Sequence, residues 1–84
     1  MKIKKYYTID YVDFEGIAKN IYSAPASLFT ETLERYNALA DFQSSVNPDA
    51  YITLNVYAYL IDNDGEAVEG SDVKIVQLLP ELKV

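Results

Sequence analysis

The side chains with an obvious capacity for chemistry are carboxylates: thirteen Asp and Glu in 84 residues, with no histidine and no cysteine beside them. Without histidine, the commonest base near neutral pH is missing. Without cysteine as well, neither the Cys/His zinc ligand sets nor the Ser-His and Cys-His nucleophile pairs can be assembled. Three glycines, Gly16, Gly65 and Gly70, are scattered at turn-like positions, so there is no glycine-rich phosphate loop. Paired carboxylates remain available for acid–base work. A single helix-on-sheet layer leaves little room, however, for a substrate pocket of roughly a few hundred cubic ångströms. The expectation is a protein that is not an enzyme, with no catalytic, cofactor-binding or metal-binding residues.

In the stretch DNDGEAVEGSDV, Asp62 to Val73, the acids Asp62, Asp64, Glu66 and Asp72 superficially resemble a calcium loop. An EF-hand loop needs glycine at its sixth position and a bidentate glutamate at its twelfth. Those positions hold Ala67 and Val73, and no helical pattern flanks them. The stretch reads instead as a solvated hairpin end.

Charge is distributed unevenly. Twelve acids and only two bases, Lys19 and Arg35, lie between Tyr6 and Val73, a net −10, while Lys2, Lys4, Lys5, Lys74 and Lys83 sit near the ends. Direct nucleic-acid binding needs Lys and Arg clustered on one face and is not expected. An acidic field favours a basic partner, or simply keeps a small protein in solution. The start, MKIKKYYTIDYVD, has no apolar core or small-residue cleavage site and does not read as a signal peptide. The longest apolar run, VYAYLI, is far short of a membrane span. The absence of cysteine is compatible with the cytoplasm, where this protein is expected.

The elements that must position these residues follow from periodicity. Residues 1–84 make one domain, half of them hydrophobic, with no repeat or linker. Lys2 to Val12 reads as a strand with Ile3, Tyr7, Ile9 and Tyr11 on one face and Lys4, Tyr6, Thr8 and Asp10 on the other. DFEGIAKNIYSAP admits two readings: a DFEG hairpin turn leading to a strand over Ala18–Ser23, or a helix with Phe14, Ile17, Ala18 and Ile21 in a stripe. A firmer helix follows, with Pro25 in its first turn and Ser23 or Ser27 as cap. Phe29, Leu33, Tyr36 and Ala40 form its apolar stripe, widened by Leu28, Leu39 and Phe42. Thr30, Glu34, Asn37 and Asp41 lie opposite, and Glu31 and Arg35 are placed for an i,i+4 pair. Pro48 stops the helix by moving Asn47 out of the α region.

The row YITLNVYAYLI, Tyr51 to Ile61, alternates cleanly: Ile52, Leu54, Val56, Ala58 and Leu60 make one apolar face. DNDG turns the chain into a last strand from about Asp72 to Leu79. Glu66 to Gly70 either extends that hairpin past a bulge at Gly70 or forms an acidic loop. The expected fold is α+β in the order ββαββ, a four-stranded, largely antiparallel sheet with one helix on one face, the alternative being βααββ.

Tyrosine then becomes the residue to explain, with eight in the chain. Tyr51, Tyr57 and Tyr59 share the sheet face opposite the apolar row. They form either a wet face, a self-association surface or a surface for another protein. The acids of the helix, Glu31, Glu34 and Asp41, and of the hairpin, Asp62, Asp64, Glu66, Glu69 and Asp72, either only solvate or imitate a phosphate array. In size, charge and lack of chemistry the chain resembles the small acidic inhibitors of phages and mobile elements, among them anti-CRISPR and anti-restriction proteins, several of which mimic DNA. That resemblance implies a binding protein that occupies a nucleic-acid-binding groove on a basic partner. The resemblance carries no individual site residue over to this sequence. The alternative is a structural module, a homodimer through the tyrosine face or an edge strand.

Overall fold

Two short acidic turns organise the sheet. In each, an aspartate is followed three residues later by glycine, and the same contacts recur. Asp13 Oδ1 accepts the amides of Glu15 and Ile17 at 2.9 and 3.0 Å, and Asp62 Oδ1 accepts those of Asp64 and Glu66 at 2.9 and 3.0 Å. Gly16 and Gly65 take φ of 82° and 85°, the left-handed conformation that closes a hairpin and that glycine adopts without a Cβ penalty. Both DFEG and DNDG are therefore hairpin turns, and the helical reading of Asp13 to Ser23 is set aside.

The structure is a computed structural model that describes residues 1–78. The strands are β1 (Lys2–Val12), β2 (Ala18–Pro25), β3 (Tyr51–Ile61) and β4 (Val73–Leu78), and one helix, α1 (Phe29–Val46), lies between β2 and β3. The last strand was expected to reach Leu79, which lies outside the described residues, as does Lys83. The sheet is a four-stranded antiparallel layer in the order β2-β1-β3-β4, so the fold is α+β in the order ββαββ. β1 and β3 pair along their whole lengths, from Lys2 opposite Ile61 to Val12 opposite Tyr51. Each edge strand carries one extra residue, Ile21 in β2 and Ile75 in β4, where the register shifts.

The helix begins differently from its sequence signals. Pro25 ends β2, and a 3-10 turn over Ala26–Leu28 leads into α1 with no side-chain cap from Ser23 or Ser27. Its end is as expected: Asn47 is extended, at φ −147° and ψ 99°, because Pro48 follows. Tyr36 packs with Leu33, Leu39 and Ala40 against Ile9, Ile52, Leu54, Tyr7, Tyr11 and Tyr22. Thr32 also faces inward and is buried with no partner for its hydroxyl, whereas Phe29 and Phe42, expected in the stripe, are exposed.

Length explains where the core stops. Eighteen helical residues span about 27 Å. Eleven strand residues span about 36 Å. Of the apolar row on β3, only Ile52 and Leu54 are buried, while Val56, Ala58 and Leu60 are half-buried beyond the helix. The Cα radius of gyration is 14.5 Å, against about 12 Å for a compact domain of this length.

The β3–β4 hairpin continues past the DNDG turn. Ile61 bridges to Ala67, and the Val68 amide donates to the Leu60 carbonyl at 2.9 Å. Ser71 then replaces a main-chain acceptor: its Oγ takes the Leu60 amide at 3.0 Å and donates to the Val68 carbonyl at 2.6 Å. Of the two sequence readings, the extended hairpin is therefore the one adopted. Ser71→Ala leaves the part-buried Leu60 amide without its acceptor, and the expected loss is about 1–2 kcal/mol in denaturant melts, with faster exchange of that amide. An unchanged Leu60 exchange rate would show that the hydroxyl is dispensable.

Candidate functional site

The acids fall into two groups on different parts of the molecule. Glu31, Glu34 and Asp41 are exposed on the side of α1 turned away from the sheet. At 100° per residue they straddle the direction opposite Tyr36, which points into the core. The only cation on α1 is Arg35, and it does not pair with Glu31 as the spacing suggests. Its guanidinium lies over the Tyr22 ring of β2, 4.6 Å from the centroid, where an aromatic face competes well with a solvated carboxylate. Among the described residues, Glu31 and Glu34 are thus left on the outward side of α1 with no cation paired to them.

The second group belongs to the β3–β4 hairpin at the end of the sheet beyond α1. Asp62 is committed to its turn, and Asp72 accepts the Tyr6 hydroxyl at 2.7 Å. Among the described residues, the side chains of Asp64, Glu66 and Glu69 are exposed and have no hydrogen-bond or ion-pair partner. The lysines at the start of β1 arrive at the same end, because Lys2 and Lys4 lie opposite Ile61 and Tyr59. Acids and bases therefore mix at the hairpin, and its acids do not join those of α1 in one surface.

The tyrosines divide as well. Tyr57 and Tyr59 are half-buried and gather round Tyr6, which the sequence reading left out of the aromatic set. Tyr6 stacks on Tyr57 with ring centroids 5.2 Å apart and meets Tyr59 edge-on at 5.6 Å. Lys74 Nζ lies 5.8 Å from the Tyr57 centroid. Tyr51 is exposed at the opposite end of β3 and takes no part. An open groove of about 500 Å³ runs beside the cluster, lined by Lys4, Lys5, Tyr6, Pro25, Tyr59 and Asp72.

The hydrogen bond to Asp72 raises the Tyr6 hydroxyl from 10.0 to about 12, with burial and the negative charge of Asp72 adding to it. The raised value means that the folded state favours the neutral phenol. Its contribution is whole below pH 10.0 and is lost as pH rises through about 12. In an ultraviolet titration Tyr6 should ionise late, as should Tyr36, which burial also raises, and Asp72→Asn should bring only the Tyr6 step back toward the ordinary value. A titration indifferent to Asp72→Asn would remove the pairing.

Between Tyr51 and Tyr57 the second face is neither wet nor aromatic. Asn55 is 0% exposed, with Thr8 and Thr53 buried beside it. Its Nδ2 lies 3.2 Å from Asp10 Oδ2, 3.3 Å from Thr8 Oγ1 and 3.1 Å from Thr53 Oγ1. Asp10 Oδ1 accepts Asn20 Nδ2 at 3.2 Å, and Ser23 Oγ donates to Asn20 Oδ1 at 3.3 Å. A polar belt thus crosses β2, β1 and β3. An ionised carboxylate only accepts, so the Asn55 nitrogen must face Asp10, which leaves its oxygen without a partner.

Among the described residues, no group of three or more acids could hold a metal ion, and no helix is long and apolar enough to cross a membrane. Comparison of the chain with protein-family models, curated proteins and solved structures finds no match.

Proposed function

We propose that the chain is a non-enzymatic protein-binding module that offers the outward side of α1 to a basic surface on another protein, of the kind that binds nucleic acid. The observation behind this reading is the diversion of Arg35. With that guanidinium held on Tyr22, Glu31 and Glu34 stand on the helix surface with no cation beside them among the described residues. Carboxylates fixed along a rigid helix are better placed to imitate a run of phosphates than acids on a mobile chain, because less ordering is required on contact. The protein would act as a stoichiometric inhibitor in the cytoplasm of its host, in the manner of the phage inhibitors it resembles in size and charge, and would bind neither nucleic acid nor membrane itself.

Capture from a lysate of the source cell, at low and at high salt, tests the reading. The expected result is a basic, nucleic-acid-binding protein that is held at low salt, released at high salt, and bound about tenfold or more weakly by the Glu31→Lys/Glu34→Lys double variant. Binding indifferent to salt and to the charge reversal would sink it. The captured protein should also lose its nucleic-acid binding when the chain is added, and retention of that binding would likewise contradict it.

A further inference from the structure

We propose that β4 is the seam of a homodimer, in which two copies pair antiparallel, edge to edge, about a two-fold axis between Ile75 and Val76. The sheet has two edges, and they differ. β2 carries Lys19, Asn20 and Ser23 and ends on Pro25, features that discourage a further strand. β4 reads VKIVQL, and its four apolar residues are between 44% and 58% exposed. The aromatic cluster is a poorer seam, since its rings pack on one another and the Tyr6 hydroxyl is already bonded to Asp72.

The register of β4 decides how a second copy would fit. Val73, Val76 and Leu78 lie opposite Ala58, Val56 and Leu54, on the face that carries α1, and Lys74 and Gln77 lie opposite Tyr57 and Asn55, on the other face. Ile75 is the extra residue at the shift. With the axis between Ile75 and Val76, Val73 faces Leu78, Ile75 faces Val76 and Lys74 faces Gln77 of the other copy. Apolar residues meet apolar ones, polar residues meet polar ones, and no like charges oppose each other. All six residues of β4 are used. Moving the axis by half a residue onto Ile75 sets Lys74 against Val76 and joins opposite faces, which a pleated sheet does not allow.

Available surface agrees with this occupant. The chain exposes 6164 Å², about 1,100 Å² more than the roughly 5,050 Å² expected of a compact monomer of its mass. A specific interface takes about 800 Å² from each partner. The helix ends before the sheet does, and a second copy at β4 adjoins that uncovered part. Both helices would then lie on one face of an eight-stranded sheet, doubling the acidic display without covering it.

Sedimentation equilibrium on the full chain from low to high micromolar concentration should show a monomer–dimer equilibrium. Val76→Lys should raise the dissociation constant more than about tenfold. Phe14→Lys, an exposed aromatic in the β1–β2 turn, should leave it unchanged. A strict monomer throughout, or a dimer that Val76→Lys does not weaken, would overturn the seam. The chain has no cysteine, so a second readout is clean. Lys74→Cys/Gln77→Cys should form a covalent dimer under mild oxidation, whereas Thr30→Cys should not. If Val76→Lys proves unfolded by circular dichroism, this pair decides, and its failure to cross-link would overturn the proposal. A monomeric result would leave the acidic contact of α1 standing, because the two surfaces are different.

Discussion

Replacing Asn55 with alanine lowers the unfolding free energy by about 2–4 kcal/mol, measured by urea or thermal melts. The figure comes from what the amide does. One proton satisfies an ionised acceptor, Asp10, and such bonds contribute about 1.5–3 kcal/mol, while the other serves a threonine hydroxyl for about 0.5–1.5 kcal/mol. A domain of 84 residues has a margin of roughly 4–13 kcal/mol, so the loss is a large fraction of the whole. Asn55→Asp is the sharper comparison. It places a second carboxylate where the nitrogen met Asp10, in a site with no access to water. The new acid is raised above its unfolded value by burial and by the like charge. Stability relative to the parent chain is therefore best in acid, below the unfolded carboxylate range, and is lost as pH rises through the raised value. If Asn55→Ala melts within about 0.5 kcal/mol of the parent, in the range of an ordinary surface change, the belt is not buried as described.

That belt was not legible in the sequence, and the reason is physical. Strict alternation assigns Thr8, Asp10, Thr53 and Asn55 to the outer face, and the assignment is correct. Alternation does not say whether the outer face is wet. Burial of Asn55 depends on Thr8 lying directly opposite it, and that register joins strands separated by a helix. For the same reason Tyr6 could not be matched with Tyr57, although both lie on runs that were read correctly as strands. Features set by a few consecutive residues fared better. DFEG and DNDG each contain all the atoms of their own turn, and Pro48 needs only Asn47 to stop a helix. Arg35 shows the limit again. Its spacing from Glu31 is local and favourable, but the Tyr22 ring that holds it belongs to another element.

The two surfaces proposed here respond to salt with opposite signs, which makes them separable in one series of measurements. Each chain carries a formal charge of −6, so two copies brought together at β4 repel, and added salt relieves the repulsion. Contacts along β4 are main-chain bonds and apolar side chains, which salt does not weaken. A basic partner on α1 is attracted by the same charge, and added salt weakens that contact. Dimerisation that strengthens with salt, in a protein whose partner binding fades with it, is the joint signature. In the dimer the acids of both helices face the same way, so partner affinity should also rise with the dimeric fraction through multivalency.

Ile9→Ala and Ile3→Ala should differ by several kcal/mol although the two residues occupy the same face of the same strand. The apolar alternation treats them as equivalent. In the fold, Ile9 is 0% exposed among Tyr36, Ile52 and Leu54, and its truncation opens a cavity that the surrounding helix and strands cannot fill, at about 2–5 kcal/mol. Ile3 lies beyond the reach of α1 and is 68% exposed, so its truncation should cost no more than about 0.5 kcal/mol. Leu54→Ala and Leu60→Ala form a second such pair on β3, with Leu54 buried and Leu60 half-buried, and the gap should be smaller there. The measurements belong in dilute solution, at a concentration where the chain is monomeric, since association near the uncovered end would add to the apparent stability. Equal losses for Ile3 and Ile9 would mean that the far end of the sheet is covered in the monomer. The surface surplus on which the β4 seam depends would then be gone.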